Sequence, residues 1–206
     1  MLTCSYCGIN NCKFSKTDPL PGNCPTRQES IQQQALALYE EKENHTLAYH
    51  SAMLDQSDQP TKTRVEEIII FAKSCGYQHL GLAFCMGLLK EAKIFTDMLK
   101  ANGFTVSSII CKNGGFKKEV LEIPEKQEGP SKALCNPIGQ ALFLNDAQTE
   151  FNIILGLCVG HDSLFIKYSE APITVLAVKD RITGHNPLSP IYLSDSYYKR
   201  LKEPLK

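Results

Sequence analysis

The sequence predicts an α/β protein: a Rossmann-like three-layer domain with a parallel sheet over residues 61–206, led by a helical bridge over residues 28–60 and a small Cys-rich metal knuckle over residues 1–27. Three observations predict it. From Thr61 onward, short continuously apolar segments alternate with longer stretches whose apolar residues recur every three or four positions, the pattern of buried parallel strands separated by amphipathic helices. Three of those apolar segments stop on a cysteine. At the other end of the chain, Cys4, Cys7, Cys12 and Cys24 fall at the spacing C-x2-C-x4-C-x11-C among Gly8, Pro19, Pro21, Gly22 and Pro25.

The amino-terminal stretch has too few apolar residues to fold by burying a core, so a bound ion is expected to supply the missing energy. Thiolates two residues apart curl back on one ion, and structural zinc sites of four cysteines use such pairs. Zinc is the expected metal at Cys4, Cys7, Cys12 and Cys24, with an iron–sulfur cluster as the alternative, since Cys24-Pro25 has the C-P ending of some cluster ligands. A tail of reactive thiols is the reading without a metal.

After Thr26 the segments RQESIQQQALALYEEKEN and HTLAYHSAMLDQ read as two helices of the bridge, from the spacing of Ile31, Ala35, Leu38 and Tyr39. Asp55 to Pro60 is a polar break. His45 and His50 lie five residues apart, off the i, i+4 face that ligand pairs use, and read as surface or packed residues.

TKTRVEEIIIFAKSCG is then a helix closed by Gly76, HLGLAFC a strand, GLLKEAKIFTDMLKANG a helix closed by Gly103, and TVSSIIC a second strand. LCNPIGQALFLNDA opens a helix near Cys135; FNIILGLC is a third strand, GHDSLFIKYSE a short helix, and ITVLAVK a fourth strand rich in β-branched residues. Right-handed crossovers between such strands make them parallel. The stretch after Cys111, broken by Gly114, Gly115, Pro124, Gly129 and Pro130, reads as a lid or binding loop.

Parallel strands ending on Cys85, Cys111 and Cys158 share the carboxyl edge of one sheet, where open α/β sheets bind ligands and helix amino termini lower the pKa of nearby thiols. Cys135, at the start of a helix, joins the same rim. A metal or iron–sulfur site of Cys85, Cys111, Cys135 and Cys158 is expected there, with His161 as spare ligand, against the alternative that these cysteines only pack the core. Lys179 and Arg181, beyond the fourth strand, are expected to bind an anionic group of a cofactor or substrate. Cys75, beside Gly76, reads as structural.

Lys plus Arg and Asp plus Glu are balanced at 22 each in 206 residues, and no basic run stands out, so nucleic acid is not an expected partner. No apolar run is long enough to span a bilayer, and Met1 to Cys7 lacks the charged and apolar regions of a signal peptide, so a cytoplasmic protein with no membrane partner is expected. Nine cysteines in a reducing compartment point to metal ligation or thiol chemistry rather than disulfides.

The CxxC-led amino terminus, GLAFCMGLLKEA, CKNGG, CNPIGQA, GLCVGHDSLF and APITVLAVKDRITGHNP together resemble a family of uncharacterised metal-binding proteins, a domain of unknown function met mainly in archaea and anaerobic bacteria. The resemblance spans nearly the whole chain. It implies metal binding and no particular reaction, with a small molecule or redox partner left open. The alternative of a different class is a cysteine-nucleophile hydrolase or transferase: Gly156-Leu157-Cys158-Val159-Gly160 has the form G-x-C-x-G at a strand-to-helix turn, and Asp180 and His185 follow in the order nucleophile, acid, base. Cys158, His161, Asp180 and His185 are then the candidate catalytic residues.

Overall fold

The computed structural model describes residues 2–14, 19–54, 61–123 and 133–204, and the chain divides into two units, Met1–Asp58 and Gln59–Lys206.

The first unit begins with turns of 3-10 helix at Cys4–Tyr6, Asn11–Phe14 and Pro25–Arg27, followed by helices α1 (Glu29–Tyr39) and α2 (Lys42–Leu54). The predicted helix break after Asn44 falls instead before Lys42, because Asn44 works from within the first turn of α2. Its Nδ2 donates to the Leu38 carbonyl at 2.9 Å, satisfying an end group that α1 leaves unpaired.

The expected metal knuckle, whether zinc or iron–sulfur, is overturned. Among the described residues no group of three or more His, Cys, Asp or Glu side chains could hold a metal ion. Cys4, Cys7, Cys12 and Cys24 are free thiols. The physical reason is that polar side chains and backbone amides close this segment locally. Asn23 Nδ2 donates to Thr3 Oγ1 at 2.8 Å, Asn11 to the Pro19 carbonyl at 3.1 Å, and Arg27 to the carbonyls of Leu20 at 2.8 Å and Pro21 at 3.1 Å. The Cys7 sulfur takes the backbone N–H groups of Asn10 and Ile9, which pull its pKa below the ordinary thiol value. It finds its partners in its own turn, not among the other three sulfurs.

The second unit is the predicted α/β fold. Thr63 and Glu66 form a capping box that starts α3 (Arg64–Ser74). Then follow β1 (His79–Phe84), α4 (Leu89–Ala101), β2 (Thr105–Ile110), α5 (Pro137–Asp146), β3 (Phe151–Leu155), α6 (His161–Tyr168), β4 (Ile173–Ala177) and a short α7 (Ser189–Tyr192). Among the described residues four strands form one parallel sheet in the order β2-β1-β3-β4.

Side-chain alternation along β1 and β3 divides the core between two faces. Leu80, Leu82, Phe84, Phe151, Ile153 and Leu155 pack with residues of α3 and α4. Ala83 and Ile154 pack with Ala141, Leu144 and Phe165 of α5 and α6. Each such buried Leu, Ile or Phe is worth about 1.5–3 kcal/mol relative to exposure, so the helices are held to both faces by the strands they connect. Polar residues are also buried on this side of the sheet, Asn152 of β3 among them. Asn152 is satisfied there, accepting from Thr149 Oγ1 and donating to Ser169 Oγ, both at 2.8 Å.

The strands end one residue short of Cys85 and Cys111 and three short of Cys158. At Cys85 the chain turns into a single 3-10 turn, Met86–Leu88. After β3 it turns through Gly156 at φ +67°, where a Cβ would lie 2.1 Å from Leu88 Cδ1. The interrupted stretch after β2 forms turns at Asn113–Gly115 and Lys118–Leu121 and an antiparallel bridge from Lys117 to Ala133. Pro124, Gly129 and Pro130 of the expected lid lie outside the described residues.

Candidate thiol site

Topology picks one point on the sheet edge. From β1 the chain crosses to β2 on one side, and from β3 it crosses to β4 on the other. The crossovers therefore diverge between the carboxyl ends of β1 and β3, the switch point at which open α/β sheets place ligands. Cys85 occupies that point: its N–H donates to the Leu155 carbonyl of β3 at 3.1 Å, while the Cys111 N–H donates to the Phe84 carbonyl at 2.9 Å.

Three donors converge on two buried sulfurs. Lys179 Nζ, just past β4, lies 2.6 Å from Cys85 Sγ. Gly87 N–H donates to the same sulfur at 3.4 Å, and Met86 N–H donates to Cys111 Sγ at 3.3 Å. The two successive amides thus serve one sulfur each. Cys135 Sγ lies 4.0 Å from Cys111 Sγ, and Lys179 also bonds Cys158. Cys85 and Cys111 are each 4% exposed, and Cys135 and Cys158 are half-buried.

These surroundings push the two neighbouring thiols apart. Burial is the largest influence on Cys85 and raises its pKa, but the hydrogen bond from Lys179, the Gly87 amide, the Lys179 charge and Cys111 together outweigh it, and the net shift is downward. At Cys111 burial again raises the pKa, the Met86 amide opposes it, and negative charge on Cys135 and Cys85 adds to it, leaving the thiol pushed up to about 11. Lys179 is held as a cation: burial works against its charge, but Cys85 and Cys158 reverse that and raise its pKa. One thiol is thus favoured toward its thiolate while its neighbour is favoured toward its protonated form, the division of roles that acid–base chemistry uses.

A rigid frame holds this arrangement. Asn136 N–H donates to the Cys111 carbonyl at 2.7 Å, Asn136 Nδ2 donates to Asn113 Oδ1 at 2.9 Å, and Asn136 Oδ1 caps α5 by accepting from Gly139 N at 2.8 Å. Gly139 is required because a Cβ there would fall 2.2 Å from Asn136 Nδ2. Gln140, fully buried, donates to the carbonyls of Phe84 at 3.2 Å and Ile109 at 2.7 Å. The frame thus pins the ends of β1 and β2 and the residue after Cys135.

The rim metal centre expected from Cys85, Cys111, Cys135 and Cys158 is overturned along with His161 as its spare ligand. Among the described residues no three such ligands converge. The reason is that the protein supplies its own cation: the Lys179 ammonium bridges Cys85 and Cys158, while Cys111 and Cys135 stand on the other side of Cys85. A metal ion is accordingly not a partner supported here, and neither zinc nor an iron–sulfur cluster is a supported cofactor.

Of the other predicted residues, Cys158 is in the turn between β3 and α6, but its partner is Lys179. Asp180 and His185 serve their own loop. Asp180 Oδ1 accepts from the amides of Ile182 at 3.0 Å and Thr183 at 3.1 Å, and His185 Nδ1 accepts from Asp180 N at 3.2 Å. His161, the first residue of α6, is held neutral: burial lowers its pKa first, then the charges of Lys112 and Lys179, with Asp162 opposing. Arg181 is exposed on the same rim, with Nη2 4.0 Å from the position a Cβ at Gly87 would take. Burial pushes up the pKa of Cys75, away from the rim thiols.

Sequence reasoning missed the pairing of Lys179 with Cys85, the two amides of Met86-Gly87, and the Asn113–Asn136–Gln140 frame. The glycine two residues after Cys85 was the one local signal, marking a turn whose amides face back. A separate groove of about 630 Å³ between α4 and β2, lined by Phe84, Lys90, Lys93, Lys100 and Ser108, contains none of these thiols.

A family model described as "Protein of unknown function (DUF1847)" matches residues 24–176, more than half of the chain. The chain belongs to this family. "Uncharacterized protein MJ0455" of Methanocaldococcus jannaschii is 42% identical over 202 residues, covering 98% of this chain and 99% of that protein. No solved structure matches. The matched span contains all four rim cysteines, with Lys179 just beyond its end. Among the described residues no helix is long and apolar enough to cross a membrane.

Proposed function

We propose that this protein is a thiol enzyme whose nucleophile is Cys85, acting on a small electrophilic substrate that carries negative charge. The observation that carries this reading is Lys179 Nζ at 2.6 Å from Cys85 Sγ at the switch point of the sheet. A thiolate is the reactive form of cysteine, and an adjacent ammonium with a backbone amide is a recognised way of holding it. Cys111 beside it is a protonated thiol and supplies the proton a leaving group needs. Lys112, Lys179 and Arg181 make the rim cationic, which favours an anionic substrate. With Cys85 only 4% exposed, the substrate must be small.

The test is alkylation by iodoacetamide and by iodoacetate across pH, with each cysteine read by peptide mass mapping. Cys85 should react with a midpoint below that of an ordinary thiol, Cys111 should lag far behind it, and iodoacetate should gain on iodoacetamide relative to its behaviour with free cysteine. Fast modification of Cys158 alone, with Cys85 inert at every pH, would remove Cys85 from the role of nucleophile.

A further inference from the structure

We propose that Cys85, Cys111 and Cys135 form a three-thiol relay for thiol–disulfide exchange with a small anionic disulfide, in which a substrate sulfur is captured on Cys85, displaced by Cys111, and the resulting protein disulfide is passed to Cys135. The proposal rests on the reading of Cys85 as nucleophile and names its substrate class. Its geometric basis is the row of sulfurs running outward from the switch point: Cys85 and Cys111 just past the paired ends Phe84 and Ile110 of adjacent strands, then Cys135 at 4.0 Å from Cys111. A single nucleophile needs no such neighbours. Nor does core packing account for a lysine turned onto the innermost of the three.

The steps balance with the substrate as oxidant. The Cys85 thiolate attacks one sulfur of the substrate disulfide; the S–S bond breaks, a Cys85–substrate disulfide forms, and the first substrate thiolate leaves. Cys85 is then neutral. The negative charge that helped keep Cys111 protonated is gone, so Cys111 gives up its proton to the departing thiolate and attacks the Cys85 sulfur. That expels the second substrate thiol and joins Cys85 to Cys111. Cys135, losing its proton to that second thiolate, attacks the Cys111 sulfur and expels Cys85 as a thiolate, again paired with Lys179. Exchange proceeds fastest through the leaving thiol of lowest pKa, and Lys179 gives Cys85 that property. In total one disulfide becomes two thiols while Cys111 and Cys135 become a disulfide, which an external dithiol reduces.

The experiment uses the full chain with Cys4, Cys7, Cys12 and Cys24 changed to Ser, so that the amino-terminal free thiols take no part. Dithiodiglycolate, a small dianionic disulfide, is the probe, and cystamine, its dicationic counterpart, the control. The expected result is about two thiols released per disulfide consumed, a Cys111–Cys135 link by peptide mapping, and slower reaction with cystamine. Cys111→Ser should release about one thiol per disulfide and retain mercaptoacetate on Cys85. Cys135→Ser should still release about two and end linked Cys85–Cys111, which keeps the test decisive if the Cys111 variant folds poorly. An adduct that persists on Cys85 in the parent chain, or a Cys85–Cys158 link, overturns the relay while leaving Cys85 as nucleophile. A first adduct on any other cysteine overturns both readings.

Discussion

Replacing Lys179 with Met keeps most of the side-chain stem and removes the ammonium that lies 2.6 Å from Cys85 Sγ. A hydrogen bond to a charged group contributes about 1.5–3 kcal/mol, and because the lysine is partly solvent-accessible the lower value applies. At 1.36 kcal/mol per pKa unit, Cys85 should lose about one unit of its depression. Well below the parent midpoint the thiolate fraction then drops about tenfold, while the more basic sulfur is intrinsically about threefold more nucleophilic, for a net rate loss of about threefold that fades before the new midpoint is reached. Above it the order reverses, and the variant alkylates faster than the parent. The assay is the pH profile of Cys85 alkylation, with far-UV circular dichroism to show that the fold is intact. Two profiles with the same midpoint would refute the reasoning, because they would mean that the ammonium does not stabilise the thiolate.

Other predictions follow from neighbouring contacts. Cys111 is raised from 9.0 to about 11 in the folded chain, so the unfolded chain loses this proton first; its contribution to stability is complete below pH 9 and is lost as pH rises toward 11. Cys111→Ser should therefore flatten the fall in melting temperature over that window, measured against the parent. Gly156→Ala forces a Cβ into the place of Leu88 Cδ1 at a left-handed backbone position, and should cost about 1–3 kcal/mol in urea unfolding while disturbing the turn that begins at Cys85. Asn152→Ala removes one hydrogen bond each from Thr149 Oγ1 and Ser169 Oγ, which keep the Leu144 and Ala171 carbonyls as partners, for a loss of about 1–3 kcal/mol by the same measurement. Arg27→Ala removes two carbonyl contacts of the Leu20–Pro21 turn and should increase the alkylation rate of Cys24 without changing that of Cys85.

The α/β unit was legible because its signals are local. A run such as FNIIL, apolar but for Asn152 and bounded by amphipathic stretches, is the pattern of a buried parallel strand, and it did form β3 between β1 and β4. The positions of Cys85, Cys111 and Cys158 near strand ends follow from counting residues along each run. The amino-terminal metal knuckle failed for the complementary reason. Cysteine spacing says how close four thiols can come, but whether they converge depends on competition with Asn11, Asn23, Arg27 and the backbone amides around Cys7, and those groups closed the turns first.

What the sequence by itself determined is the alternation of elements, the parallel direction of the strands and the carboxyl edge as the place where thiols gather, since each depends on periodicity and on the fixed handedness of crossovers. The tertiary structure alone decided which thiol is special. Lys179 and Cys85 are 94 positions apart in sequence, and they meet because β4 lies two strands from β1 in the same sheet, a span of about 10 Å that a long lysine side chain can cross. Strand order is set by the packing of helices on both faces of the sheet, a property of the whole chain, and through it an ammonium rather than a metal ion stands among the cysteines.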